Sequence, residues 1–495
     1  MFCRRLSTVI ASTAALSAMI GCASFVGAQG RPHGRPHFPG SQQPGGGPGE
    51  QQGGPGQNGQ QNEPTSPGIP SPTLSQNTFV DDFGQFTTIN NSAEAIQSNP
   101  FFEALGTNQR SCVTCHRPSE GWSITPASVQ NLFAQTDGLD PLFRPVDGAN
   151  SPDAPVTTLA DRQTAYSELL TKGLLRVGLP IPTGAQFTLI HVYDPYGFAS
   201  AKELSLFRRP LPATNLSFLS TVQYDGRETF TGESINYDLT AQAANAILTH
   251  EQGAVTPSND QLQQIVNFES ANFTAQSFDN RAGPLNSDGG LGGPSVLSNQ
   301  PFTQGINDPV TASFDRSAFS LYDSWAASPG DPLPGGDESK AEIARGERIF
   351  NNRPFEITNV PGVNDIIGSP TIIGTCTTCH NTPNVGDHSL PIYVDLGLTD
   401  PQRTTPDLPL YTLKNNATGQ IRITSDPGRA LVTGRWRDIG KFKVPSLRGF
   451  ASRAPYFHNG SAPDVQSVIR FYDRRFRIGL APQDRRALAA FLNSL

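Results

Sequence analysis

The chain has 495 residues, with 36 Lys and Arg against 43 Asp and Glu and a formal charge of −7. That length fits two or three domains with room for a sizeable core, and without a basic excess the chain lacks the footprint of a nucleic-acid or anionic-membrane binder. The 48 Gly and 43 Pro point to long loops and a low-complexity part.

In chain order, Arg4 and Arg5 precede a mostly apolar or small-residue run from Leu6 to Gly21, and Val26-Gly27-Ala28 precedes Gln29. This pattern predicts a secretory signal peptide over 1–28 and an exported, periplasmic chain. The alternative is a lipoprotein signal in which Cys22 carries the lipid anchor. No later run reaches the roughly 18 apolar residues of a membrane-spanning helix. Residues 29–75, rich in Pro, Gly and Gln, bury too little to order themselves and are expected to form a disordered linker; His33 and His37 within it make a weak metal site at best.

The folded part is expected from about Phe79. Ser92-Ala93-Glu94-Ala95 resembles a helix start. The run Lys340–Phe350 places Ile343, Gly346 and Phe350 on one face, and Asp464–Tyr472 does the same with Val465, Val468 and Tyr472. A final helix, Gln483–Leu495, enters at Pro482 and turns Leu488, Phe491, Leu492 and Leu495 inward. The expected fold class is mainly α, with two cytochrome c-like domains over 76–335 and 336–495, long loops, and a boundary near Ser328–Asp337.

Cys112-Val113-Thr114-Cys115-His116 and Cys376-Thr377-Thr378-Cys379-His380 both match C-x-x-C-H, the attachment site of c-type haem. Two thiols one turn apart add to the two vinyl groups, and the adjacent His reaches the iron as proximal ligand. The Cys and His content of this chain gives on the order of 0.001 chance matches. A zinc site wants a further Cys or His close by, and a thioredoxin-like redox pair wants a βαβ context. Two covalently bound haems c are therefore expected, with Cys112, Cys115, Cys376 and Cys379 binding them and His116 and His380 as metal ligands. Both methionines, Met1 and Met19, fall in the expected signal. The distal ligands are then sought among His191, His250, His388, His458 and the tyrosines, which argues against a His/Met electron carrier.

Phe442-Lys443-Val444-Pro445-Ser446-Leu447-Arg448-Gly449 and Ala454-Pro455-Tyr456-Phe457-His458-Asn459-Gly460-Ser461 resemble the C-terminal haem domain of the bacterial di-haem cytochrome c peroxidase/MauG superfamily. Tyr224-Asp225-Gly226-Arg227, with Ala241-Gln242-Ala243 downstream, is similar to the segment that joins the two haems in that superfamily. The resemblance implies an oxidoreductase that reduces hydrogen peroxide at the N-terminal haem, with electrons relayed through the C-terminal haem from a small donor protein, a cytochrome c or cupredoxin. It also leaves a MauG-like oxidase of a protein or organic substrate, and a non-catalytic electron-transfer cytochrome, as alternatives. It implies that Tyr472, fourteen positions after His458, is the distal ligand of the second haem, that Tyr224 stands between the haems, and that Gln242 lies in the first distal pocket. Gln252 matches the position of the pocket acid in that superfamily and cannot act as a base, so His250 is the candidate base or displaceable ligand, with Glu251 beside it and His191 in reserve. His388 and His458 are read as supporting residues and Trp122 as a haem-edge packing residue. Departures from the pattern are an insertion over Thr229–Asn236 and the stretch Arg208–Asn215 where the superfamily helps hold calcium, which makes calcium doubtful here. Members are often homodimers.

Overall fold

A computed structural model describes residues 76–92, 98–326 and 337–495. The expected signal segment 1–28, the linker 29–75, the helix start after Ser92 and nearly all of the boundary region lie outside the described residues. Residues Ile69–Leu495 belong to one unit. Helix makes up 31% and strand 17% of the structure; helix is the larger share, as expected, while the thirteen short strands among the described residues were not anticipated. The reason lies in pairing partners far apart in sequence, which a local pattern does not display.

The first strands, Gln76–Asp81 and Gly84–Asn90, form a hairpin that continues antiparallel into Asn272–Asp279 and Gly283–Pro284. Asp81 closes the hairpin by accepting the backbone N–H groups of Phe83 and Gly84 at 2.8 Å. Gly84 is required there, since a Cβ would lie 2.0 Å from the Phe278 carbonyl oxygen. A second sheet joins the two halves of the sequence: Phe187–Tyr193 pairs with Leu410–Asn415, which pairs with Ile421–Thr424.

The three helices expected in the C-terminal half form as Glu338–Asn352, Val465–Phe476 and Pro482–Asn493. Asp337 and Asp464 cap the first two by accepting N–H bonds from their first turns. Gly346 lets the first and last helices approach closely, for a Cβ there would stand 2.0 Å from the Ala487 carbonyl oxygen. Ile343, Phe350, Leu488, Phe491 and Leu492 pack in one core together with Leu285, Phe319, Tyr322 and Trp325, which precede the expected domain boundary.

The Tyr224–Arg227 turn is clamped between the halves. Arg208 reaches Asp225 at 2.6 Å and Asp426 at 2.7 and 3.0 Å, with all three side chains buried. Arg429 donates to the carbonyls of Asp225 and Gly226 at 2.9 and 2.8 Å. Gly226 has φ 67°, and a Cβ on it would meet the Tyr393 hydroxyl at 1.9 Å. Although burial pushes Asp225 up, Arg208 and Arg227 outweigh it and hold the carboxyl at about 2. Asp225 therefore stabilises the fold above its ordinary range, by about 2 kcal/mol, and that contribution is lost as pH falls from about 4 through about 2. Asp225→Ala, which strands the buried Arg208 charge, is expected to cost about 3–5 kcal/mol in denaturant melts at pH 7. A loss under about 1 kcal/mol would show that Asp426 alone suffices.

Candidate active site

Both C-x-x-C-H motifs fold alike, on the 3-10 turns Cys112–Thr114 and Cys376–Thr378. In each the third residue of the turn is Thr. Thr114 accepts the Ser111 N–H at 3.1 Å and Thr378 the Thr375 N–H at 3.0 Å. The His N–H then closes on the first Cys carbonyl, at 2.9 Å for His116 and 3.0 Å for His380. The His116 Nδ1–H faces the Trp122 carbonyl at 3.2 Å and that of His380 the Gly386 carbonyl at 2.5 Å. Each Nδ1 is thus committed as donor, which leaves Nε2 as the nitrogen available to a metal. Burial pulls both imidazoles down to about 4, so both are neutral, the ligand form.

Each motif opens on its own cavity. The second, about 1710 Å³ with its mouth included, is walled by Cys376, Cys379, His380, Tyr472 and the apolar faces of the C-terminal helices. The first, about 1450 Å³, is walled by Cys112, Cys115, His116, Gln242, His250 and Glu251 among others. Tyr224 lines both, as do Arg209 and Lys443, so this stretch forms the partition between them.

The partition also bears on what the cavities hold. Arg209 is buried and Arg453 partly buried, and desolvation pulls each down to about 10. Arg209 finds the carbonyls of Lys172, Ile124 and Arg453 at 2.9, 2.7 and 3.2 Å, and Arg453 those of Ser446 and Arg448. Among the described residues neither meets a carboxylate. Buried cations left this way are costly unless an anion arrives. A large apolar cavity with two thiols, a committed imidazole and an unpaired guanidinium fits haem c, whose propionates are such anions. Among the described residues, no three His, Cys, Asp or Glu side chains gather to hold a metal ion by themselves.

The helix Ile235–Thr249, started by the Ser234 hydroxyl accepting the Tyr237 N–H at 3.2 Å, carries Gln242 into the first cavity. His250 follows at the end of the helix, and its Nδ1 meets Asp147 at 2.6 Å. Asp147 also takes Arg110 at 2.5 Å, and Arg110 and Asn108 donate to the His250 carbonyl at 3.2 and 2.8 Å. Burial favours a neutral Asp147, but Arg110 and His250 overcome it and hold the carboxyl below its usual range. The Asp147–His250 pair was not legible in sequence, because the two residues lie 103 positions apart.

Two acids share this cavity. Glu251 lines it, accepts the Leu105 N–H at 3.1 Å and is raised by burial to about 7. Glu269, from the helix Asn259–Ser270, is raised by burial to about 8, and its Oε2 meets no partner. Gln252 does not line this cavity; it has φ 55° and its side chain accepts from Asn108 at 3.3 Å. Glu269 lies outside every motif and gave no local signal.

The remaining candidates separate. His191 stands exposed on the strand Phe187–Tyr193 opposite Thr412 and lines neither cavity, which removes it as the reserve base. His388 is buried, with Nδ1 accepting the Leu390 N–H at 3.1 Å. His458 lines the second cavity, stacked on Phe442 at 4.1 Å and edge-on to Tyr224 at 6.1 Å. Trp122 packs against Phe101 and Phe268, donates to Thr88 at 2.9 Å and holds His116 through its carbonyl.

No family model matches the chain. It is 35% identical over 140 residues to cytochrome-c peroxidase IdrP1 of Pseudomonas sp. (strain SCT), covering 24% of this chain and 36% of that one. It is 33% identical over 122 residues to cytochrome c peroxidase Ccp of Escherichia coli (strain K12), covering 24% and 22%. To methylamine utilization protein MauG of Paracoccus denitrificans (strain Pd 1222) it is 26% identical over 175 residues, covering 35% and 41%. The chain is related to the bacterial di-haem cytochrome c peroxidase/MauG superfamily. The similarity spans about a third of the length of the cytochrome-c peroxidase IdrP1 relative.

Proposed function

We propose that the chain is an exported di-haem c-type oxidoreductase, with one haem lobe on each side of the partition, that reduces hydrogen peroxide at the first cavity with electrons passed through the second. The observation that carries this reading is the pair of C-x-x-C-H cavities sharing a wall at Tyr224. Haem bound in them supplies iron that exchanges electrons with peroxide.

His116 and His380 would hold the iron through Nε2, the four cysteines would bind the haem covalently, and Arg209 and Arg453 would take its carboxylates. Each peroxide consumes two electrons and two protons and leaves two waters. His250, with Nδ1 held by Asp147, keeps Nε2 free to take the first proton from peroxide and return it to the departing oxygen. Gln242 orients the bound peroxide by hydrogen bonding. Tyr224 bridges the two cavities; burial raises its phenol to about 12, so it enters the path as a neutral phenol.

A MauG-like oxidase of a protein or organic substrate is the second reading. Tyr472 in the wall of the second cavity favours it, because a phenol stands where the peroxidases present Met. The test is the optical and EPR spectrum of the haem-loaded protein before and after one equivalent of hydrogen peroxide. A high-spin signal that disappears on mixing is expected. Two low-spin haems that ignore peroxide, even in half-reduced protein, would leave only an electron carrier.

A further inference from the structure

The helix Val465–Phe476 has two chemically different faces. Val468, Ile469, Tyr472 and Phe476 line the second cavity. On the other side Arg470 and Arg474 are exposed, Arg403 lies over the Phe471 ring at 5.8 Å, and Arg475 and Ser467 complete a shallow recess. Arg403 meets Asp400 at 3.1 Å and Arg470 meets Asp464 at 3.8 Å. Arg475 donates to the carbonyls of Thr358 and Asn359. Among the described residues Arg474 meets no carboxylate. Four guanidiniums face Asp400 and Asp464, with Asp395, itself paired to Arg422, also acting on Arg475, so this face stays positive on a chain whose formal charge is −7.

Folding does not account for the patch. The helix dipole favours cations in the last turn, where Arg474 and Arg475 lie. It does nothing for Arg470, one turn earlier, and like charges at i and i+4 repel. Arginines around a half-buried aromatic are the composition of an interaction surface.

We propose that this arginine face is the docking site of a small acidic redox protein that delivers electrons to the second cavity. The proposal rests on the di-haem reading above. A partner seated on the recess is separated from the Tyr472 wall by a single helix, about 10 Å across. Opposite charge speeds such an encounter without demanding a large interface, as suits a transient electron donor.

The test uses the full haem-loaded chain, an acidic copper protein of the plastocyanin type as probe, and the double variant Arg470→Glu/Arg474→Glu. Binding of the oxidised probe, followed by NMR, is expected at low ionic strength, to fade with salt, and to weaken at least tenfold in the variant. The rate of electron delivery from the reduced probe should fall by the same factor, while haem spectra and reduction by ascorbate stay unchanged. A basic cytochrome c should show the reverse preference and gain on the variant. Equal binding of the acidic probe to both proteins, or none to either, overturns the docking site. Failure of the peroxidase reading is seen separately, as absence of peroxide consumption with ascorbate as reductant.

Discussion

His250→Ala is expected to lower the rate of the peroxide reaction by about 10²–10⁴-fold, the range for removal of a positioned general base. The reason is geometric. His250 is the imidazole in the wall of the first cavity apart from the proximal His116, and its Nδ1 is fixed by a buried carboxylate at 2.6 Å. That carboxylate selects the tautomer with Nε2 unprotonated, and steadies the imidazolium once a proton has moved. Asp147→Asn should therefore give an intermediate loss and shift the pH profile, while haem content stays constant. Glu251→Gln separates the neighbouring acid: it should alter the rate only a few-fold if His250 is the base. Stopped-flow mixing with hydrogen peroxide reads all three, and a His250→Ala rate within a few-fold of the parent would transfer the role to Glu251.

The second large effect is expected from Tyr472→Phe. Tyr472 shares the cavity wall with His380, and its ring is supported by Phe457 at 6.4 Å and Phe476 at 6.3 Å. Phenylalanine keeps those contacts and removes only the hydroxyl, so the fold should hold, and if Tyr472 is the distal ligand that the resemblance implies, the second haem should lose that oxygen. Optical and EPR spectra should then lose the signature of that haem completely and gain a five-coordinate or water-ligated one, with the first haem untouched. An unchanged spectrum would return Tyr472 to the role of a core aromatic on an amphipathic helix.

Much of this site was legible in the residues alone. The chemistry of C-x-x-C-H is local: two thiols and an imidazole within five residues fold on one turn whatever surrounds them, and both turns form with the same Thr bond. The helices of the C-terminal half were equally readable, since the apolar spacing at Ile343, Gly346 and Phe350 and the entry at Pro482 are short-range signals. Tyr224 and Gln242 were singled out through resemblance; Tyr224 lines both cavities and Gln242 the first.

Residue order alone sets the number and local geometry of the two C-x-x-C-H turns, because those depend on neighbours in the chain. The tertiary structure decided which distant groups complete them. Asp147 reaches His250 across 103 residues and Glu269 enters the first cavity from another helix. Glu251 lines that cavity while Gln252, in a left-handed conformation after the helix end, does not. Buried charges such as Arg208 with Asp225 and Asp426 take their partners only when the halves close, since a carboxylate's effect depends on distance and burial, and neither is a property of sequence order.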